Sequence, residues 1–438
     1  MERQYKDSGI EWIGRIPEGW YTCRFKALFA TGKGLNFTKA ELVPEGISVV
    51  SYGQVHSKLN SGTSLAEQLI RFIPESLTEG GEASKVHRGD FIFADTSEDK
   101  DGCGNAVYVD KELGIYAGYH TVVAFAKDRK YSPYLAYLFL TDIWRSQIRS
   151  RVTGIKVYSI SQAILNQTSV LLPPLPEQQR IASYLDKKCG EIDALIALQE
   201  KMIAQLTEYK QAVITEAVTK GLDPNAKLVP SGIEWIGDVP EGWSINKINR
   251  LFRMIGSGTT PSSSDDDAYI GTINWLQSGD INGGIIANAN KRISIDTLVK
   301  YPALSVYKQP FIIVAMYGAS VGNISISHID ACVNQACCVM SESIINFNYA
   351  FYAIKSAQRY LIYRAVGGGQ PNISQNTLRQ LWLPVPPLPD QQRIASYLDT
   401  KCSEIDSLIT LKRQKIESLN AYKKSIIYEV VTGKTIIE

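Results

Sequence analysis

The run LPPLPEQQRIASYLD, Leu172 to Asp186, comes back as VPPLPDQQRIASYLD, Val385 to Asp399, with only Leu exchanged for Val and Glu for Asp. Copies this similar and this far apart in one chain mark an internal repeat, two units built to one plan. Downstream, at the same offset, Cys189 answers to Cys402, Ile192 to Ile405, Leu206 to Leu419 and Tyr209 to Tyr422. Upstream, Gly154 answers to Gly367 and Ile160-Ser161-Gln162 to Ile373-Ser374-Gln375. A second echo opens each half, SGIEWIGRIPEGW from Ser8 and SGIEWIGDVPEGW from Ser231. Between the echoes, at 24–150 and 247–365, little identity can be aligned. Each half is therefore a variable globule followed by a nearly constant tail.

The tail reads as one long amphipathic helix. Pro176 suits a first helical turn, Glu177 faces the positive end of the helix dipole, and no further proline occurs until Pro224. Apolar residues recur three and four apart, among them Ile192, Leu195, Ile196, Leu206 and Tyr209, and in the second copy Ile405, Leu408, Leu419 and Tyr422. Roughly 40 helical residues make a rod of about 60 Å. A stripe of that length must be buried, and the other copy is the nearest partner. Two globule-then-helix units related by a twofold axis would pack their helices antiparallel, with a globule at each end. Cys189 and Cys402 would then lie far apart. The division expected is a globule at 1–172, a spacer helix at 173–222, a second globule at 223–385 and a second spacer helix at 386–438.

Length agrees, since 438 residues exceed what one core usually holds. The globules read as α/β or α+β. Apolar runs such as DFIFADT (90–96), HTVVAFA (120–126) and PFIIVAMYG (310–318) look like strands, and 131–148 and 349–363 look helical. No stretch approaches the roughly 20 apolar residues of a membrane span, and no leader pattern opens the chain, so a cytoplasmic protein is expected. The 7 cysteines include no C-x-x-C pair, so reduced thiols are expected and a metal cluster is not. A net charge of +2 neither demands nor excludes nucleic acid.

Catalytic signatures are missing. There is no G-x-G-x-x-G after a strand, no phosphate loop and no H-E-x-x-H. Pro173-Pro174 follows Leu172, where an adenine methyltransferase would carry Asn or Asp before Pro-Pro. Asp90 with Glu98 and Lys100 imitates a metal-dependent nuclease triplet, but the second half has no equivalent, so a solvated charged loop is expected. The 4 histidines are scattered without ligand spacing.

Several loops carry residues suited to DNA. The segments leading into the helices hold Lys156, Tyr158 and Ser159 in the first half and Gln370 and Asn372 in the second. Lys33, Asn36, Lys39, Tyr52 and Gln54 add to the first set. Thr259, Thr260, Gln277, Ser278, Tyr317 and Ser320 add to the second. Lysine neutralises phosphate, and Asn or Gln can pair with both edge atoms of adenine in a major groove.

The motif P-L-P-[ED]-Q-Q-R-I-A-x-Y-L-D running into a long helix, twice, each time after a variable domain ending G-x-x-x-x-x-I-S-x-x-x-L, resembles the specificity subunit of type I restriction-modification systems. The resemblance spans essentially the whole chain, the W-I-G-x-[IV]-P-x-G-W openings included. It implies two target-recognition domains, each reading one half of a split, asymmetric site on double-stranded DNA. It also implies an antiparallel two-helix coiled coil that fixes the gap. The partners implied are two methyltransferase subunits, which bind S-adenosylmethionine, and restriction subunits that complete the endonuclease. The chain itself would catalyse nothing and hold no cofactor. The rival readings are a scaffold that never touches DNA and a self-sufficient nuclease.

Overall fold

The computed structural model describes residues 4–10, 13–262, 264–365 and 371–437. The chain divides into two compact units, 1–199 with 414–438, and 200–413. Each is a globule closed by parts of both long helices, Leu175–Lys220 and Leu388–Val431.

In unit 1 a four-stranded sheet has the order Ala106–Tyr108, Phe91–Ala94, Thr121–Ala126, Phe29–Lys33, all antiparallel. A second sheet has the order Arg71–Ile73, Ile47–Val50, Ile115–Ala117, Lys85–Val86, and its middle pair is parallel. Unit 2 repeats the scheme. Ile324–Ser327, Phe311–Ala315, Cys337–Ser343 and Phe252–Gly256 stand in the same order, with Ile285–Ile286 added at one edge. Lys291–Ile293, Ile273–Leu276 and Cys332–Val333 form the second sheet, again with one parallel pair. The globules therefore share a fold where their sequences share little. The expected mixed class holds, and the sheets are chiefly antiparallel. The runs at 131–148 and 349–363 are each two helices, Ser132–Leu138 with Asp142–Arg149 and Phe347–Ser356 with Gln358–Tyr363. In the first, the Arg145 guanidinium takes the Phe139 carbonyl at the break.

The repeated motif has an internal task. Its first Gln is buried in both copies, and Gln178 Nε2 donates to the Pro173 carbonyl at 2.8 Å just as Gln391 Nε2 donates to that of Pro386. A carbonyl that the prolines leave without a ladder partner is thereby satisfied where the helix begins. The first helix ends before Gly221, whose φ of +74° stops it. Tyr137 and Tyr352, on corresponding globule helices, donate to Asp186 at 2.6 Å and Asp399 at 2.8 Å.

Inward-facing positions on each helix alternate three and four apart: Leu185, Cys189, Ile192, Ile196, Gln199, Ile203, Leu206, Lys210, Val213 on one, and Leu398, Cys402, Ile405, Ile409, Lys412, Ile416, Leu419, Lys423, Ile426 on the other, all buried or half-buried. This is a heptad pattern. In unit 1, Ile192 shares a core with Leu419, Ile426 and Val430. In unit 2, Val213 and Ala217 share one with Leu398 and Cys402. Three heptad positions hold lysine, and two of them reach an aspartate on the facing helix: Lys423 to Asp193 at 2.7 Å in unit 1, and Lys210 to Asp406 at 2.5 Å in unit 2.

Four stripe residues fall elsewhere. Leu195, Tyr209, Leu408 and Tyr422 are 45 to 58% exposed, because each stands one place before a heptad position and so turns about 100° away from it. No helix among the described residues is long and apolar enough to cross a membrane. Among them no group of three or more His, Cys, Asp or Glu could hold a metal ion.

Candidate nucleic-acid interface

The strands of unit 1 bring one end of both sheets together. Lys33 closes its strand opposite Val122, and Gly34 N–H then donates to the Thr121 carbonyl at 3.2 Å. The approach is so close that a Cβ on Gly34 would lie 1.9 Å from the Gly118 oxygen, which only glycine avoids. Gly118 N–H donates to the Val50 carbonyl, and Tyr52 N–H to that of Tyr119 at 3.3 Å. Asp95 N–H donates to the His120 carbonyl at 3.1 Å. Thr96–Ser97 then pairs antiparallel with Tyr158–Ser159.

Lys33, Tyr52, Tyr158 and Ser159 therefore come to one place. The Tyr52 ring lies 5.9 Å from Tyr119, 5.7 Å from His120 and 6.1 Å from His56. Phe37, next to the exposed Asn36, lies edge-on to Tyr119 at 5.1 Å. Burial pushes the Tyr119 phenol above its ordinary value, with Tyr52 adding to the effect, so the hydroxyl stays neutral at physiological pH. Lys156 is exposed at a loop tip beside Ile155, which is 96% exposed. Lys100 Nζ lies 5.8 Å from the Tyr158 ring, within cation–π range. Gln54 is engaged locally, its Oε1 accepting from Ser51 N–H at 3.1 Å. Lys39 sits exposed on the separate turn Lys39–Glu41, held by Glu41 on Thr38.

Unit 2 builds the same end from other side chains. A Cβ on Gly258 would lie 1.8 Å from the Val333 carbonyl oxygen. Thr260 Oγ1 donates to Gln335 Oε1 at 2.5 Å, and Trp275 Nε1 to the Thr259 carbonyl at 3.3 Å. Asn334 N–H donates to the Leu276 carbonyl, one residue before Gln277 and Ser278, and Met316 N–H to that of Ala336. Tyr317, 41% exposed, bridges to Asn372. Ser320 closes the short turn Gly318–Ser320. Gln370, with Gly367, lies outside the described residues. Burial pushes the Tyr307 phenol up to about 12, and its hydroxyl donates to the Ser257 carbonyl at 2.8 Å.

Sequence reasoning missed the centre of both arrangements, Tyr119 with His120 and Asn334 with Gln335. These are short connections between apolar strands, and only the turn residues between two strand-like runs could have signalled them. Two of the histidines scattered along the sequence, His56 and His120, belong to the unit 1 group. His56 Nε2 donates to the Thr96 carbonyl at 2.8 Å. The acidic triplet does not assemble. Asp90 is buried before the strand Phe91–Ala94, accepting from the backbone N–H of His87 and Ala126, while Glu98 is exposed beyond its other end.

The model of the type I restriction modification DNA specificity domain matches residues 17–208 and 240–421. The StySPI specificity subunit of Salmonella potsdam is 21% identical over 96% of this chain and 90% of its own length. The MjaVIII specificity subunit of Methanocaldococcus jannaschii is 26% identical over 72% and 73%. A chain solved in work on complex assembly and conformational transition of the type I R-M system has a similar fold, with a TM-score of 0.69 at 18% identity, covering 96% of this chain and 99% of its own. With the domain matched once in each repeat and most of both units inside those matches, the chain belongs to the type I restriction-modification specificity subunits and carries two target-recognition domains.

Proposed function

We propose that the two units each read one half of an asymmetric, split site on double-stranded DNA. The two long helices would form an antiparallel coiled coil, related by a pseudo-twofold axis, that sets the distance between the halves. The observation that carries this reading is the sheet end of each unit: one backbone scaffold gathers lysine, aromatic and amide side chains, and the side chains differ between the units. A common scaffold with unlike tips fits two unlike half-sites. A rigid spacer would hold them at fixed helical phase, as symmetric dimers do with half-sites about 34 Å apart or a multiple of it.

Functionally the chain would then divide into readers at 1–172 and 223–385 and spacers at 173–222 and 386–438. Two methyltransferase subunits, carrying S-adenosylmethionine, would dock one per half and perform the chemistry, with restriction subunits joining for cleavage. The exposed heptad neighbours Leu195, Leu198 and Tyr422 in unit 1, and Tyr209, Leu408 and Leu411 in unit 2, offer matching apolar surface for two copies of one partner. The chain would hold no cofactor, act as no enzyme and work in the cytoplasm.

The test is duplex binding by the chain assembled with its methyltransferase subunits. Phosphate contacts release counterions, so affinity should fall steeply with salt, and a complex with no affinity for duplex DNA would leave the scaffold reading. Replacing residues 247–365 with the matching segment of a relative should change one half of the methylated sequence. Change in both halves would refute separate readers.

A further inference from the structure

The short connection at the centre of each sheet end occupies the same place in both units. In unit 1 it is 118–120, fixed by Gly118 N–H on the Val50 carbonyl and by Asp95 N–H on that of His120. In unit 2 it is 334–336, fixed by Asn334 N–H on the Leu276 carbonyl and by Met316 N–H on that of Ala336. The same two hydrogen bonds thus make Tyr119 correspond to Gln335. The loops singled out from the sequence for DNA chemistry surround this connection rather than contain it. It is a part of the shared scaffold where the anchoring hydrogen bonds recur and the side chains change.

We propose that this connection carries base discrimination in both units, and that Gln335 reads an adenine in the half-site of unit 2. The inference rests on the reading that each unit recognises a half-site. Gln335 is exposed, and its Oε1 already accepts from Thr260 Oγ1, which fixes the amide plane before DNA arrives. A carbonyl oxygen has a second lone pair, so the amide keeps the acceptor and donors that match adenine N6 and N7 in a major groove. In unit 1 the same position presents the Tyr119 ring, flanked by His120, whose backbone is held at φ +54°. Side chains other than glycine seldom adopt that conformation, and such outliers concentrate at functional sites. Rings discriminate by apolar contact and shape, so the two halves should differ in kind.

The experiment uses the chain coexpressed with its methyltransferase subunits, with methylated adenines mapped across the host genome. Gln335→Ala should relax one adenine position in the half assigned to unit 2 by the 247–365 exchange, with at least about a tenfold loss of discrimination there and the other half unchanged. His120→Gly, which suits the positive φ and leaves the fold intact, should relax the half read by unit 1 alone. Unaltered sequence preference in both variants would overturn the proposal. So would an equal loss of affinity for every sequence, which marks a positioning role. A relaxed position whose base is not adenine would overturn the amide assignment. If the unsubstituted complex neither binds nor methylates duplex DNA, the reading of function fails instead.

Discussion

Tyr137 donates its hydroxyl proton to Asp186 across 2.6 Å, and by this bond the first globule grips the first turns of its helix. Tyr352 and Asp399 repeat the contact in unit 2. Burial and the accepting carboxylate together push both phenols far above their ordinary value, so the bond does not titrate at physiological pH. A hydrogen bond to a charged group contributes about 1.5–3 kcal/mol, and the exposure of Asp186 favours the lower end. Tyr137→Phe should lower the stability of unit 1 by about 1–2 kcal/mol in denaturant unfolding. Asp186→Asn on top should add little, and strictly additive losses would mean the two residues are uncoupled.

The heptad phase separates residues that simple apolar spacing lumps together. Leu419 is 9% exposed in the core of unit 1, whereas Leu195 is 47% exposed. A carboxylate at the first position is stranded in apolar surroundings, so Leu419→Asp should cost on the order of 3–5 kcal/mol. Leu195→Asp should change stability of the isolated chain by less than about 0.5 kcal/mol. Comparable thermal unfolding of the two variants would show that the phase is misassigned.

Lys355 brings a pH dependence to unit 2. Its ammonium is largely buried, donating to the Gly283 carbonyl at 2.7 Å, and desolvation, helped by the nearby Lys210, depresses its pKa to about 8. The Cys402 thiol and Asp406 face it and oppose that shift. Between about 8 and the unfolded value of 10.5 the unfolded chain holds a proton that the folded unit has shed. Stability from this group therefore rises with pH across that window and is absent below it, by on the order of 3 kcal/mol at most. Relative to Lys355→Met, the unsubstituted chain should gain stability between pH 8 and 10. A constant difference would place the lysine in water.

The proposed antiparallel helices place Cys189 and Cys402 far apart. Mild oxidation of the purified chain should leave both thiols unbridged in peptide mapping, and a Cys189–Cys402 disulfide within one chain would overturn the arrangement.

What the sequence made legible follows from what identity can carry. The helices were readable because Ile192 and Ile405, or Leu206 and Leu419, are the same residue in the same phase. The common fold of the globules was not, since Phe93 and Val314 fill corresponding strand positions and any apolar side chain of fitting volume serves there. Leu195 and Tyr209 join the stripe on sequence alone because spacings of three and four, counted without a fixed heptad, admit neighbours one place off. Tyr119 and Gln335 stayed hidden for a plainer reason. Correspondence between them exists only through hydrogen bonds made by residues far away in sequence, so no window along the chain contains it.

Unit 1 is completed by residues 414–438, which leave the ribosome after the whole of unit 2. At roughly 5–20 residues per second its first part waits on the order of ten seconds or more for the closing helix segment, with Ile192 and its neighbours uncovered meanwhile. Nascent chains of this design must tolerate that delay, and translation pauses within unit 2 should threaten the half that was made first.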